Sequence, residues 1–229
     1  MAARRSGLGA VKGQAPIGAE MPHFYRSVRT IIGVLFKVLT RRECAGLENL
    51  DLEPPYIVAL NHISVFDTPA MLTLFRHRVV AFAAEKHRAN PVYGPLLEAM
   101  GTIFVRRGEV DRQALRDALA WLAQGGVLGV APEGTRARGT YALQEAKTGI
   151  AYLATRASVP ILPVGIAGTA RLKENMPRLR RTDLRIAVGE PIRLPKAGRV
   201  RGEELRVYTD LVMARIAGLL PEEYRGVYA

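Results

Sequence analysis

The chain has 229 residues, of which 48% are hydrophobic, and its formal net charge is +12. This composition excludes a globally disordered chain, and the length favours one large domain over two small ones. The one cysteine, Cys44, excludes an intramolecular disulfide framework. The positive charge favours a polyanionic partner, a class that includes nucleic acid, an anionic membrane surface and phosphorylated substrates.

The N-terminal segment divides into a tail and a helix. Residues 1–21 are rich in Gly and Ala and have no apolar core of a signal peptide, so they are predicted to be a flexible basic tail. Residues 22–45 are predicted to be an amphipathic membrane-interface helix, with apolar residues at helical spacing and cations towards the other side (Arg26, Arg29 and Lys37). Packing of the apolar face on the domain explains the pattern equally well. The longest uncharged run, Thr30–Phe36, is far shorter than the ~20 residues of a spanning helix.

Strands and helices then alternate along the chain. Short apolar runs predict strands at 56–60, 79–84, 102–105, 127–131, 161–166 and 184–188. Helical periodicity predicts helices at 66–76, 91–100, 111–124, 144–157 and 203–220, and residues 171–181 are predicted to be a basic loop. Pro163 favours an edge position or an irregular ladder for its strand. The predicted fold class is α/β, with a central mixed, largely parallel sheet of about six to seven strands, flanking helices and a preceding amphipathic helix.

A histidine and a carboxylate follow the strand at 56–60. His62 is able to exchange a proton near neutral pH, and Asp67 is able to fix its tautomer. On a regular helix, residues five apart point ~140° away from each other. The two side chains therefore meet only if His62 lies in the turn and Asp67 in the first helical turn. Alternatively, Ser64-x-x-Asp67 forms a capping box in which Asp67 serves only the helix N-terminus.

Two further strand ends carry polar groups that would complement this pair. Arg106 and Arg107 are suited to hold a phosphate, and the turn from Glu133 to Arg136 supplies a carboxylate that accepts hydrogen bonds from a polyol. A metal site built from His62, Asp67 and Glu133 would lack a third nitrogen or thiolate ligand, so no metal and no cofactor are predicted.

Four segments together resemble the motifs of the glycerolipid acyltransferase family, whose type member is 1-acyl-sn-glycerol-3-phosphate acyltransferase. Asn61 to Asp67 matches the first motif, His-x4-Asp preceded by Asn. Gly101 to Arg107 is similar to the second motif, with Arg106 where aspartate is frequent. Pro132 to Arg136 matches the third motif, and Val159 to Val164 the fourth. Lys147-x-Gly149 is also similar to the family's pattern. The resemblance spans roughly 56 to 170 and places an acyltransferase domain at 46–229.

The resemblance implies a role for each matching residue. His62 would be the general base, and Asp67 would orient it and stabilise the imidazolium. Arg107 would bind the acceptor phosphate, with Arg106 as a second donor. Glu133 and Gly134 would hold the glycerol part, while Thr135 and Arg136 would support that turn or the phosphate. These residues are the predicted catalytic and substrate-binding sites.

The implied reaction is acyl transfer from acyl-CoA or acyl-carrier protein to lysophosphatidic acid, giving phosphatidic acid. Glycerol 3-phosphate or another lysolipid is the alternative acceptor. The expected partners are these substrates and an anionic membrane surface, with the protein peripheral on the cytoplasmic face of a membrane. A basic nucleic-acid-binding module is the distant alternative. It is disfavoured because the chain has no RNP-like motif, zinc ligand set or basic helix with heptads.

Overall fold

The computed structural model describes residues 21–106, 108, 110–136, 141–195 and 202–229. Of the predicted flexible tail, only Met21 belongs to the described residues. Arg107, the predicted phosphate ligand, also lies outside them.

Seven strands form one mixed sheet in the order β1-β7-β6-β2-β5-β3-β4. All neighbouring strands pair in parallel except β6 and β7, which are antiparallel. The architecture confirms the predicted α/β class and the largely parallel sheet. The strands are β1 (Thr40–Ala45), β2 (Tyr56–Leu60), β3 (Val79–Ala84), β4 (Ile103–Val105), β5 (Val127–Val130), β6 (Ile161–Ala167) and β7 (Thr182–Val188).

Helices cover both faces of the sheet, so the fold has three layers. Along β2, Tyr56 and Val58 are buried with α1 and α2, whereas Ile57 and Ala59 are buried with α4, α5 and α7. This alternation follows from the two-residue period of a strand, and burial on both faces explains why β2 is continuously apolar. The helices are α1 (His23–Leu39), α2 (Asp67–Leu72), α3 (Tyr93–Ala99), α4 (Arg112–Ala123), α5 (Gly149–Ala157), α6 (Leu172–Asn175) and α7 (Gly202–Gly218).

Several local predictions differ from the structure. The predicted basic loop at 171–181 contains α6 (Leu172–Asn175), and the helix predicted over 144–157 begins only at Gly149. The helix predicted over 22–45 ends at Leu39, and Thr40–Ala45 form β1, which pairs with β7 at one edge of the sheet. The partner lies about 140 residues further along the chain, so no local pattern predicts this strand. The edge position suggested by Pro163 is also wrong, because β6 lies between β7 and β2. Pro163 is tolerated there because the antiparallel ladder with β7 begins only at Val164, and its carbonyl still accepts from Gly189 N–H.

Helix α1 has two apolar faces. One face packs on the sheet, where Tyr25 and Phe36 are buried. The other face is exposed and lies about 120° from the first around the helix axis, since each residue turns the helix by about 100°. This outer stripe consists of Phe24, Ile31, Val34, Leu35 and Val38. None of the described helices is both long enough and apolar enough to span a bilayer.

Buried polar contacts fasten α1 to the sheet. The Tyr25 hydroxyl donates to the Val79 carbonyl at 3.3 Å and accepts from the Val79 N–H at 3.0 Å. The Arg78 guanidinium lies 5.9 Å from the Tyr25 ring centre and 5.4 Å from that of Trp121. At the other end of α1, Arg181 donates to the carbonyl oxygens of Lys37 and Thr40. The helix is therefore a fixed part of the fold.

The sheet topology brings the polar turns together. Strands β2, β3, β4, β5 and β6 run in the same direction, so their carboxyl ends lie along one edge of the sheet. In open α/β sheets this edge is where ligands bind. The three polar turns singled out in the sequence follow β2, β4 and β5 at this edge.

Candidate active site

The turn after β2 brings His62 and Asp67 into contact. His62 Nδ1 lies 3.0 Å from Asp67 Oδ2, and α2 begins at Asp67. Because a carboxylate only accepts hydrogen bonds, this contact places the proton of the neutral imidazole on Nδ1 and leaves Nε2 as the basic atom. The His62 side chain retains 17% exposure, while Asp67 is fully buried. The pair therefore has the geometry of a general base with its orienting carboxylate.

Asp67 also organises the turn that carries the histidine. Its Oδ2 atom accepts from the backbone N–H groups of Ile63 and Ser64, both at 2.7 Å. The bond from Ser64 is the reach-back half of a capping box, but Ser64 Oγ accepts from Phe66 N–H and not from Asp67 N–H. Both sequence interpretations of Asp67 therefore apply in part, since one carboxylate oxygen holds the backbone turn and the imidazole together.

The sequence interpretation missed Thr169. Its hydroxyl donates to Asp67 Oδ1 at 2.5 Å, and the residue is fully buried. Thr169 follows the carboxyl end of β6, which lies beside β2 in the sheet. Its position just past a predicted strand was the available signal, but a threonine in a turn usually serves local backbone groups. With this bond, both oxygens of the buried carboxylate accept hydrogen bonds.

Asn61 links the same two strands. Its side-chain amide donates to the Ile166 carbonyl, its side-chain oxygen accepts from the Ile166 N–H, and both distances are 2.8 Å. The side chain thus imitates a backbone partner and extends the pairing of β2 with β6 beyond Leu60. This contact explains why an asparagine precedes the histidine, and it fixes the position along β6 at which the chain turns out of the sheet.

Glu133 connects the turn after β5 to the histidine. Oε1 accepts from the backbone N–H of His62 at 2.8 Å, and Oε2 accepts from that of Gln144 at 3.0 Å. Burial raises the pKa of the Glu133 carboxyl above its ordinary value of 4.5, whereas these two hydrogen bonds lower it. Both oxygens hold backbone groups, so the described contacts give Glu133 a positioning function. Its contact with the glycerol of a substrate stays a prediction.

The remainder of this turn lies beside Lys147. Gly134 has φ +68°, in the left-handed region, and a Cβ atom there would lie 3.3 Å from Cδ and Cε of Lys147. The backbone N–H of Lys147 donates to the Pro132 carbonyl at 2.9 Å. Glycine therefore allows both the turn and the close passage of the lysine side chain. Thr135 and Arg136 follow in the same turn and are half-buried.

Arg106 lies at the end of β4 next to Asp111. Its backbone N–H donates to Asp111 Oδ2 at 3.0 Å, and its Nε lies 3.6 Å from the same atom. Hydrogen bonds from the backbone, that of Arg106 first, lower the pKa of the Asp111 carboxyl. Asp111 also caps α4 by accepting from the N–H groups of Gln113 and Ala114. The guanidinium is largely exposed and borders the cavity described next, so one of the two predicted phosphate ligands has a defined place.

A cavity of about 670 Å³ adjoins the pair. This volume lies within the range of small-molecule sites. Its polar lining includes His62, Arg106, Asp111, Arg112, Arg116 and Lys147. The other lining side chains are largely apolar and come from both layers of helices, and they include Leu60, Met71, Leu115, Leu119, Ile150 and Leu153. Such a cavity suits a molecule that has an anionic head and a long apolar chain. Among the described residues, no group of three or more His, Cys, Asp and Glu side chains is arranged to hold a metal ion.

Comparison with known proteins gives a consistent result. A model of the Acyltransferase family matches residues 41–167. The 1-acyl-sn-glycerol-3-phosphate acyltransferase of Borreliella burgdorferi is 30% identical over 126 residues, which cover 54% of this chain and 50% of that protein. A chloroplastic enzyme of the same name from Brassica napus is 26% identical over 167 residues, or 69% of this chain and 46% of that protein. The chain spans about half the length of these curated relatives.

A solved structure extends the similarity to most of the chain. The 1-acyl-sn-glycerophosphate (LPA) acyltransferase PlsC of Thermotoga maritima superposes with a TM-score of 0.66 at 26% identity, covering 85% of this chain and 78% of that chain. The family match includes the turns that carry His62, Asp67 and Glu133, and the resemblance noted from the motifs is confirmed. The chain belongs to the glycerolipid acyltransferase family.

Proposed function

We propose that this chain transfers an acyl group from a thioester donor, acyl-CoA or acyl-carrier protein, to the free hydroxyl of 1-acyl-glycerol 3-phosphate. The product is phosphatidic acid. The observation that carries the proposal is the His62–Asp67 pair at the polar border of an otherwise apolar cavity. The names of the relatives agree with this substrate and product.

The geometry of the pair supports direct transfer. Nε2 of His62 takes the proton of the acceptor hydroxyl while the hydroxyl oxygen attacks the thioester carbonyl carbon. The tetrahedral intermediate then collapses, the carbon–sulfur bond breaks, and the imidazolium returns the proton to the leaving thiolate. Asp67 stabilises the imidazolium through its 3.0 Å contact with Nδ1. General base action contributes about 10²–10⁴-fold, so the remainder comes from positioning and from stabilisation of the oxyanion.

The acceptor phosphate is assigned to the basic part of the cavity border. Arg106 and Arg107 supply guanidinium groups, which suit bidentate contact with phosphate oxygens. Thr135 and Arg136 support the adjoining turn. Lys147 is a further cation, since its side chain passes over Gly134 and lines the same cavity as His62. The glycerol would lie between this group and Nε2, with the turn held in place by Glu133.

The membrane association predicted for residues 22–45 is assigned to the outer stripe of α1. The inner face of α1 belongs to the core, which leaves the exposed outer stripe as the face for the proposed membrane contact. An exposed apolar stripe with cations beside it is typical of helices that lie in the membrane interface. We place the protein as a peripheral protein on the cytoplasmic face of an anionic membrane, where both the acceptor and the product are found.

The first test compares purified wild type with His62→Ala and a matched control, His87→Ala. Thiol release is followed with acyl-CoA and with acyl-carrier protein as donors. The acceptor panel is lysophosphatidic acid, glycerol 3-phosphate and a lysolipid without a phosphate. We expect lysophosphatidic acid to give the highest kcat/KM, His62→Ala to lose at least about 10³-fold in kcat, and His87→Ala to retain activity.

Three outcomes would count against this assignment. Near-normal turnover by a folded His62→Ala variant would exclude the histidine as the base. A preference for an acceptor without a phosphate would exclude the proposed substrate class, and a preference for glycerol 3-phosphate would favour the alternative acceptor over the leading one.

A further inference from the structure

The turn at residues 176–181 ends a short helical segment in an unusual way. Leu179 N–H donates to the Met176 carbonyl at 3.2 Å, and Arg180 N–H donates to the Asn175 carbonyl at 3.1 Å. These two bonds define a Schellman cap in which Leu179 is the residue that adopts the left-handed conformation, with φ +51°. Glycine usually occupies this position, because a side chain there meets the carbonyl oxygen.

Burial against the described part of the chain does not offset this conformational cost at Leu179. Its side chain is 91% exposed, the largest exposed fraction among the exposed large hydrophobic residues of the described chain. Met176, in the same turn, is also exposed. A leucine that is strained and almost fully exposed on the described part of the chain is a candidate for contact with a partner outside it.

The charges around the turn indicate what that contact is. The segment from Arg171 to Arg181 contains five cations and a single acid, Glu174. The exposed cations are Arg171, Lys173, Arg178, Arg180 and Arg181. An apolar tip surrounded by arginines is complementary to a bilayer that has anionic headgroups above its acyl chains.

The turn is attached to α1. Arg181 donates to the carbonyl oxygens of Lys37 and Thr40, at the C-terminal end of that helix. Leu172, at the start of the same segment, is buried in one cluster with Phe36 of α1. The outer stripe of α1 and the tip of the turn are thus parts of one rigid unit. Thr169, which holds Asp67, lies only ten residues before Leu179, so this unit is continuous with the active-site edge of the sheet.

We propose that the 176–181 turn is a second membrane contact, in which Leu179 enters an anionic bilayer surface and the surrounding arginines are attracted by its net negative headgroups. This inference extends the membrane association proposed above for the outer stripe of α1. Two contacts restrict the orientation of the protein on the bilayer more than the outer stripe of α1 alone does. The active-site edge then has a constant position relative to the lipids that supply the acceptor.

The decisive variant is Leu179→Gly, since it separates folding from membrane contact. Glycine is favoured at this position of the cap, so Tm should stay the same or rise. Partition to vesicles of phosphatidylcholine and phosphatidylglycerol should weaken about tenfold, because one apolar side chain no longer enters the bilayer. Partition is measured by vesicle sedimentation at fixed ionic strength.

Two further variants complete the design. Leu179→Asp should weaken vesicle binding more than Leu179→Gly, whereas the matched control Val207→Asp should leave it unchanged, since Val207 is exposed on α7, in the layer opposite α1. The double variant Arg178→Gln/Arg180→Gln should bind anionic vesicles about thirtyfold more weakly, at about 1 kcal/mol for each charge near the surface. It should bind vesicles of phosphatidylcholine alone as the wild type does.

The outcomes separate this inference from the proposed reaction. Vesicle binding is measured without substrate, and transfer is measured with a short-chain, water-soluble acceptor. If the wild type transfers no acyl group but Leu179→Gly binds vesicles more weakly, the reaction is refuted and the membrane contact stands. If Leu179→Gly binds vesicles like the wild type, the inference is overturned. If Leu179→Gly leaves vesicle binding unchanged but raises KM for acyl-carrier protein and not for acyl-CoA, the inference is overturned in favour of a surface that docks the carrier protein.

Discussion

Replacing Asp67 with asparagine tests the charge of this residue while preserving its shape. In the wild type, Oδ2 accepts from His62 Nδ1 and from the N–H groups of Ile63 and Ser64, and Oδ1 accepts from the Thr169 hydroxyl. The asparagine oxygen is able to occupy the Oδ2 position with its three donors. Its amide group then donates to the Thr169 hydroxyl, which rotates to accept. The number of hydrogen bonds is conserved, and we expect the free energy of unfolding to fall by only about 1 kcal/mol.

The loss of charge acts on the transition state. His62 is neutral before it takes the proton and positively charged afterwards, so the carboxylate stabilises the charged form selectively. Two unit charges about 4 Å apart attract by about 4 kcal/mol at an effective dielectric constant of about 20. Since each 1.36 kcal/mol changes the rate about tenfold, Asp67→Asn should lower kcat by about 10³-fold. KM should change little, because the ground state contains no imidazolium.

The assay measures thiol release at saturating acceptor, with thermal unfolding of the same preparations as the control for folding. A kcat within about tenfold of wild type, in a variant with nearly unchanged Tm, would refute the reasoning. Asp67 would then serve only the turn that it holds through Ile63 and Ser64.

Three other substitutions test the surroundings of the pair. Thr169→Val removes a hydrogen-bond donor from the buried aspartate. It should lower the free energy of unfolding by about 1–3 kcal/mol and kcat by about tenfold, and Thr169→Ser should restore both. Denaturant unfolding measures the first change, and thiol release measures the second. Glu133→Gln removes a carboxyl whose pKa burial raises. Between pH 4.5 and the raised pKa, the native state therefore binds more protons than the unfolded state. As the pH rises through this window, the wild type should lose stability relative to the variant. Equal pH profiles of Tm for the two proteins would contradict this. Gly134→Ala should lower the free energy of unfolding by about 1 kcal/mol, because φ at this position is +68°. It should also raise KM for the acceptor by displacing Lys147. The control Gly33→Ala, which places its methyl group in open space on α1, should raise the free energy of unfolding by about 1 kcal/mol.

Local patterns were sufficient to predict most of the fold. The apolar run at 56–60 predicts a buried strand, and the polar turn that follows it predicts the end of that strand. Both signals come from neighbouring residues, so the position of His62 at a sheet edge was predictable. Strand β1 was not predictable in this way, since the sequence from Thr40 to Ala45 has no clear apolar alternation and its order comes from pairing with β7. Thr169 was missed for the same reason. It meets Asp67 across 102 residues of chain, and only the adjacency of β2 and β6 brings the two together. The position of α1 was left open because both its core and outer faces are apolar.

The attachment of α1 through Tyr25 has a thermodynamic consequence. The outer stripe exists as a continuous surface only while Tyr25 holds the helix against Val79 and Phe36 fills the core beneath it. If the proposed membrane contact exists, the bilayer binds the native state in preference to the unfolded chain. By linkage, vesicle binding would then raise the melting temperature of the whole domain, the candidate active site included. Core substitutions near Phe36 would weaken lipid affinity through the same equilibrium, although they would contact no lipid.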